Sequence, residues 1–161
     1  MGLLDNESIP RRQMTLFFMI DKSGSMLGSK IGSVNDAIEN VLPLIGEISD
    51  ENPDAEIRVA ALEFSTDTRW LYDEPKEGKD FIWQKVQAEG LTSLGEACRE
   101  LNKTLSRNNG FMSTPSGCYA PAIILLSDGG PTDDFAGGLA TLKSNNWFKS
   151  AIKIAIAIGD D

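Results

Sequence analysis

Oxygen donors gather at four places in this sequence: Asp21-Lys22-Ser23-Gly24-Ser25, Ser65-Thr66-Asp67, Thr92 within Gly90-Leu91-Thr92-Ser93, and Ser127-Asp128-Gly129. Three of these follow directly on apolar runs, and Thr92 immediately precedes a helical stretch. One or two carboxylates joined by several hydroxyls suit a hard divalent cation, above all Mg²⁺, which prefers octahedral oxygen coordination and keeps some of its water. Ca²⁺ or Mn²⁺ would be substitutes, Ca²⁺ an imperfect one because it takes longer bonds and more ligands. Alternate residues of the turn after a strand can face one side, so Asp21, Ser23 and Ser25 can converge while Gly24 allows a tight bend. Asp67 reads as a turn residue, and Asp133 and Asp134 as caps of the helix that follows them.

The elements that must hold these residues are legible in the periodicity. Residues 14–20, 57–64, 122–126 and 152–158 are apolar on both faces or nearly so, the pattern of buried strands in a parallel sheet. Between them, Ile31, Val34, Ile38, Val41/Leu42, Ile45 and Ile48 mark one helical face over residues 29–48, which Pro43 is expected to kink or shorten. Leu94, Ala97/Cys98, Leu101 and Leu105 mark a second helix, and residues 134–143 a third, capped by Thr132 or Asp133. Residues 69–72 read as a hairpin strand at a sheet edge, 72–80 as an exposed acidic loop and 108–121 as a turn-rich loop. The fold class is therefore α/β: a doubly wound, mostly parallel central sheet with one antiparallel edge strand and helices on both faces. In such sheets ligands bind beyond the carboxyl ends of the strands, where the oxygen donors lie.

Composition narrows the chemistry further. With 161 residues, 41% hydrophobic and 24% charged, the chain has the makings of one domain with its own core. Fifteen Lys and Arg against 24 Asp and Glu leave a net charge of −9, which argues against nucleic acid and anionic membrane surfaces and for a protein or a cation as partner. The absence of histidine excludes Ser/His and Cys/His catalysis, histidine zinc sites and histidine proton shuttles. Cys98 and Cys118 fit no disulfide framework or metal motif and read as reduced thiols of a cytoplasmic protein. Residues 1–10 lack an apolar signal core, and residues 16–20 are too few to span a membrane. Glu63, inside an apolar strand, needs a sheet edge or an Arg partner. Trp70, Trp83 and Trp147 read as packing residues, with Trp147-Phe148 at an exposed helix end.

An apolar strand followed by Asp21-x-Ser23-x-Ser25 resembles the metal-ion-dependent adhesion site of von Willebrand factor type A domains. In that family a threonine before a following helix and an aspartate after the fourth strand complete the site, and Thr92 and Asp128 match those positions. The resemblance, which runs from about Arg11 to Asp161, implies a Rossmann-like fold in which Ser23, Ser25 and Thr92 ligate Mg²⁺ through hydroxyls. Asp21 and Asp128 would act directly or through water. It further implies a non-catalytic module that binds a Glu or Asp of a partner protein at the metal. The Arg11-Arg12 segment, Asp21 to Met26 and Ser127 to Asp133 are most similar to bacterial TerY-type proteins, which implies a place in a tellurite-resistance or chemical-stress complex. On this reading residues 1–12 are an N-terminal extension, and residues 13–161 are the domain without its last helix-strand-helix. Residues 152–158 would then form an exposed apolar edge open to pairing.

The alternative from another class is a Mg²⁺-dependent phosphotransferase or hydrolase with Asp21 at its active site. Such phosphotransferases carry a second aspartate two residues on, where this chain has Ser23. Residues 24–31 have neither the spacing nor the Gly-Lys-Ser/Thr of a phosphate-binding loop, and the dinucleotide fingerprint is absent.

Overall fold

A computed structural model of the chain describes residues 11–106, 110–112 and 117–159. Strand β1 (Arg12–Asp21) pairs in parallel with β2 (Ala55–Phe64) on one side and β5 (Ala122–Ser127) on the other, and β6 (Ile152–Ala157) extends the parallel set beyond β5. Two short strands, β3 (Thr68–Trp70) and β4 (Lys76–Glu77), lie antiparallel on β2, giving the order β3-β2-β1-β5-β6 with β4 also on β2. The antiparallel edge strand is thus where the hairpin pattern put it. β4 lies in the stretch expected to be an acidic loop, because two ladder residues are too few to leave a period.

Helix α1 (Ser29–Glu51) covers one face of the sheet, and α2 (Leu94–Thr104) with α3 (Phe135–Lys143) covers the other. Successive residues of β1 divide between the two cores: Phe18 and Ile20 pack under Ile31, Val34, Ile38 and Leu42 of α1, whereas Phe17 and Met19 pack under Leu94, Ala97 and Leu101 of α2. This is the two-residue alternation of a strand buried on both sides. Pro43 does not end α1, which continues eight residues beyond it to Glu51. Ile48 is 56% exposed, off the buried face; after Ile45 and Gly46 the next buried position is Ser49, whose Oγ accepts from the Ile57 backbone at 2.9 Å. The expected face fails there because the 3.6-residue period carries 49, not 48, back to the sheet.

A short helix α4 (Asn146–Ser150), too brief for a periodic signal, is capped by Asn145, whose side-chain oxygen accepts from Trp147 N and Phe148 N. Trp147 and Phe148 are half-buried against the α2-side core rather than standing free at a helix end. Trp70 packs edge-on to Phe17 and Phe111, and Trp83 is buried under α1, so both are packing residues. Glu63, 5% exposed, is satisfied by Arg69 Nε at 2.7 Å across the β2–β3 pair, with Lys22 Nζ at 3.8 Å. Cys98 and Cys118 are not joined in a disulfide. Among the described residues no helix is long and apolar enough to cross a membrane.

Candidate metal centre

β1 carries the chain toward β2 on one side, and β5 lies against its other side, so strand order reverses between β1 and β5. The carboxyl ends of these two strands bear Asp21 and Ser127-Asp128, which places both aspartates at the switch point of the sheet. Asp21 is fully buried, and both its oxygens are engaged: Oδ1 accepts from Ser23 N at 2.8 Å and Oδ2 accepts from Ser127 Oγ at 2.7 Å. The first bond closes the turn after β1 locally, and the second ties that turn to the end of β5. Ser127 Oγ in turn accepts from Gly129 N at 3.0 Å, fixing the backbone on the far side of Asp128.

Ser23 is buried and Ser25 exposed, and their hydroxyls meet at 3.1 Å. The turn after β1 therefore presents two hydroxyl oxygens together, as the alternating spacing requires. Gly24 contributes by donating its N–H to Gly90 O at 2.9 Å rather than by an unusual conformation, since its φ is not among the positive ones. The glycine that the backbone demands is Gly90, at φ 80, where a Cβ would stand 2.6 Å from Thr66 Oγ1.

Thr92 is buried at the end of a long strap that crosses α1. Asn35, buried on α1, holds the strap: its Oδ1 accepts from Trp83 Nε1 at 3.0 Å and Val86 N at 2.8 Å, and its Nδ2 donates to Val86 O at 2.9 Å. Thr92 is then clamped to the loop after β5, with Thr92 N donating to Thr132 Oγ1 at 3.0 Å and Thr132 N donating to Thr92 O at 2.8 Å. Asp133 from the same loop accepts from Gly95 N and Glu96 N, at 2.8 and 2.9 Å, and so caps α2 rather than α3. Asp134 caps α3 through Gly137 N. Spacing along the chain pointed both aspartates at α3; the cap of α2 comes from 38 residues away, a contact only the packing of α2 on α3 creates. Asp67 belongs to a turn, its carbonyl accepting from Ser65 N.

Asp128 completes the set. Its Oδ2 stands 3.4 Å from Lys30 Nζ, and its Oδ1 is buried with no hydrogen-bond partner. Among the described residues only Thr15 Oγ1, a neutral hydroxyl, shares that condition. A buried carboxylate oxygen without a partner carries a large desolvation penalty, which a cation would offset. Among the described residues no three Cys, Asp or Glu side chains gather as a cation cage; around the Asp21 and Asp128 carboxylates the structure places hydroxyls, those of Ser23, Ser25 and Ser127. Ser23 and Ser25 are in contact, and Asp21 reaches Asp128's strand end through Ser127; Thr92 joins by the backbone bonds of its loop rather than by a side-chain contact with the other four. A cleft of about 490 Å³ opens beside these loops on the β2 side, lined by Lys22, Glu63, Thr66, Asp67, Arg69 and Gly90.

Lys30 has no role in the sequence reading, Ser127 stands there only among the oxygen donors, and Thr132 only as a candidate cap of α3 rather than the clamp of Thr92 that it is. Ser127 and Thr132 lie within the quoted Ser127–Asp133 segment, and Lys30 is a cation in the first turn of a helix, where a cation is disfavoured.

Likeness to known proteins agrees with this architecture. The chain is 29% identical over 133 residues to inter alpha-trypsin inhibitor, heavy chain 4, of Mus musculus, a match covering 78% of this chain and 13% of that protein. Among solved structures it is similar to the ArnB paralog VWA2 of Sulfolobus acidocaldarius, with a TM-score of 0.60, 26% identity, and 92% of this chain against 35% of the other. It shares its fold with proximal thread matrix protein 1 of the mussel byssus, with a TM-score of 0.62, 17% identity, and coverage of 93% and 39%. The chain thus spans a minor part of each. Residues 15–160 match the family described as von Willebrand factor type A domain, and the chain belongs to that family.

Proposed function

We propose that this domain is a non-catalytic, Mg²⁺-dependent protein-interaction module, with Asp21, Ser23, Ser25, Thr92 and Asp128 holding the cation. The observation that carries the reading is the buried, unpartnered Oδ1 of Asp128 at the strand end that Ser127 ties to Asp21. When bound, the metal supplies a positive centre on which an acidic side chain of a partner can complete the coordination. The protein's own part is to hold the donors ready: Ser127 and the Ser23 backbone fix Asp21, the Ser23–Ser25 contact fixes the hydroxyl pair, and Thr132 fixes Thr92. With two carboxylates in the shell, a divalent ion is not over-neutralised, and a Glu or Asp of a partner is attracted despite the net charge of −9.

An enzymatic reading has less to stand on. Both oxygens of Asp21 accept hydrogen bonds, which orients it as a positioning group and leaves it poorly placed to attack a phosphoryl group. The sequence features shared with TerY-type proteins favour a cytoplasmic tellurite-resistance or chemical-stress complex as the setting. Co-purification from native lysate, in Mg²⁺ and in chelator, tests the module. Association present in Mg²⁺, lost in chelator and absent with Asp128→Asn is the expected result; association indifferent to chelator overturns it.

A further inference from the structure

We infer that Lys30 is a tethered cation that sets the metal affinity of this site, an inference that rests on the Mg²⁺ reading above. Lys30 lies in the first turn of α1, a helix that starts after Gly28 with no side-chain cap and no acidic residue in its first turn. A cation there opposes the helix dipole, so the helix itself gives no reason for a lysine. Its reason lies off the helix, at the end of β5: Lys30 Nζ stands 3.4 Å from Asp128 Oδ2, 98 residues away in the chain, with side-chain exposures of 22% and 9%.

The ammonium therefore covers one oxygen of the same carboxylate whose other oxygen is buried and unpartnered. In the metal-free protein it neutralises Asp128, while Asp21 is held by its two donors. Toward an incoming divalent ion it acts oppositely. Asp21 and Asp128 with Lys30 leave a formal charge of −1 where the two carboxylates alone would leave −2, and the ammonium repels the cation at short range. The metal-loaded site then carries a formal +1 rather than zero, which raises its attraction for an acidic ligand. Lys30 weakens metal binding and in exchange keeps the loaded site electropositive.

The test is a calorimetric titration with Mg²⁺ alone, at fixed ionic strength, of wild type, Lys30→Gln, Lys30→Arg and Lys79→Gln. Lys79 pairs with Asp50 at the same 3.4 Å, on the outer side of α1, so its variant controls for net charge. Lys30→Gln is expected to bind Mg²⁺ roughly tenfold more tightly, with Lys30→Arg and Lys79→Gln within about twofold of wild type. A purely structural ion pair predicts instead a lower unfolding temperature for Lys30→Gln with Mg²⁺ affinity unchanged, and that result overturns the inference. So does equal tightening in Lys30→Gln and Lys79→Gln, which would mark a general charge effect. No Mg²⁺ binding in any of the four proteins removes the metal-site reading itself, and this inference with it.

Discussion

Asp21 illustrates how one side chain can serve site and fold together. A residue chosen for metal chemistry alone would be removable without harm to the domain, yet Asp21 is fully buried and is the acceptor for Ser23 N and Ser127 Oγ. Asp21→Ala strands both donors out of reach of water, so a stability loss of about 2 to 4 kcal/mol is expected. Asp21→Asn keeps an acceptor for Ser23 N and lets the Ser127 hydroxyl rotate to accept, which limits the loss to about 1 kcal/mol. Both variants remove the charge, so on the proposed reading both are expected to lose Mg²⁺ affinity. Urea unfolding set beside Mg²⁺ titration separates the two roles; equal destabilisation by Ala and Asn contradicts the hydrogen-bond account. The spacing of Asp21, Ser23 and Ser25 was readable because all three lie in one turn. The parts played by Ser127 and Lys30 were not, because they depend on contacts 106 and 98 residues apart that only the strand order creates.

Helix α2 is the element through which distant substitutions reach the site. Its own N-cap residue, Ser93, makes no side-chain cap; Asp133 supplies it from the loop that also clamps Thr92. Asp133→Ala should cost about 1 kcal/mol, as a lost cap does, and should weaken Mg²⁺ binding although Asp133 is not a proposed ligand. Unchanged Mg²⁺ affinity in that variant would disconnect the clamp from the site. On the inner face of α2, burial pushes the Cys98 thiol from 9.0 up to about 11, with Asp133 adding to the shift. The folded state thus keeps a proton that the unfolded chain gives up sooner. Its contribution to stability is whole below about pH 9 and falls away as pH rises through about 11. Wild type should accordingly lose stability relative to Cys98→Ala between those values, by thermal unfolding at stepped pH; a constant difference between the two proteins contradicts the shift. The main elements were legible because α1 and α2 keep a long 3.6-residue stripe and the parallel strands are apolar on both faces. β4 and α4, of two and five residues, are too short to write a period, and the register of Ile48 was lost by one residue at the end of a long helix.

At the scale of the whole molecule, the sheet has two contrasting ends. At the switch point between β1 and β5, Asp21, Ser23 and Ser127 are buried and cross-tied by hydrogen bonds. At the far edge, β6 pairs with β5 alone among the described strands, and Ile152, Ile154 and Ile156 are 59%, 48% and 43% exposed. The apolar run of residues 152–158 reads as a buried strand, but at the edge of the sheet β6 is exposed along its length. The rigid end is where function is proposed, because a cation site needs donors fixed before the ion arrives. That claim is tested most directly by calorimetric titration of Mg²⁺ into the folded wild-type domain and into Asp128→Asn, with folding of both checked by circular dichroism. The account predicts saturable, one-to-one binding to wild type, and binding weakened at least tenfold in Asp128→Asn, whose buried oxygen no longer carries charge. Absence of binding to wild type, or equal binding to a folded Asp128→Asn, would contradict it.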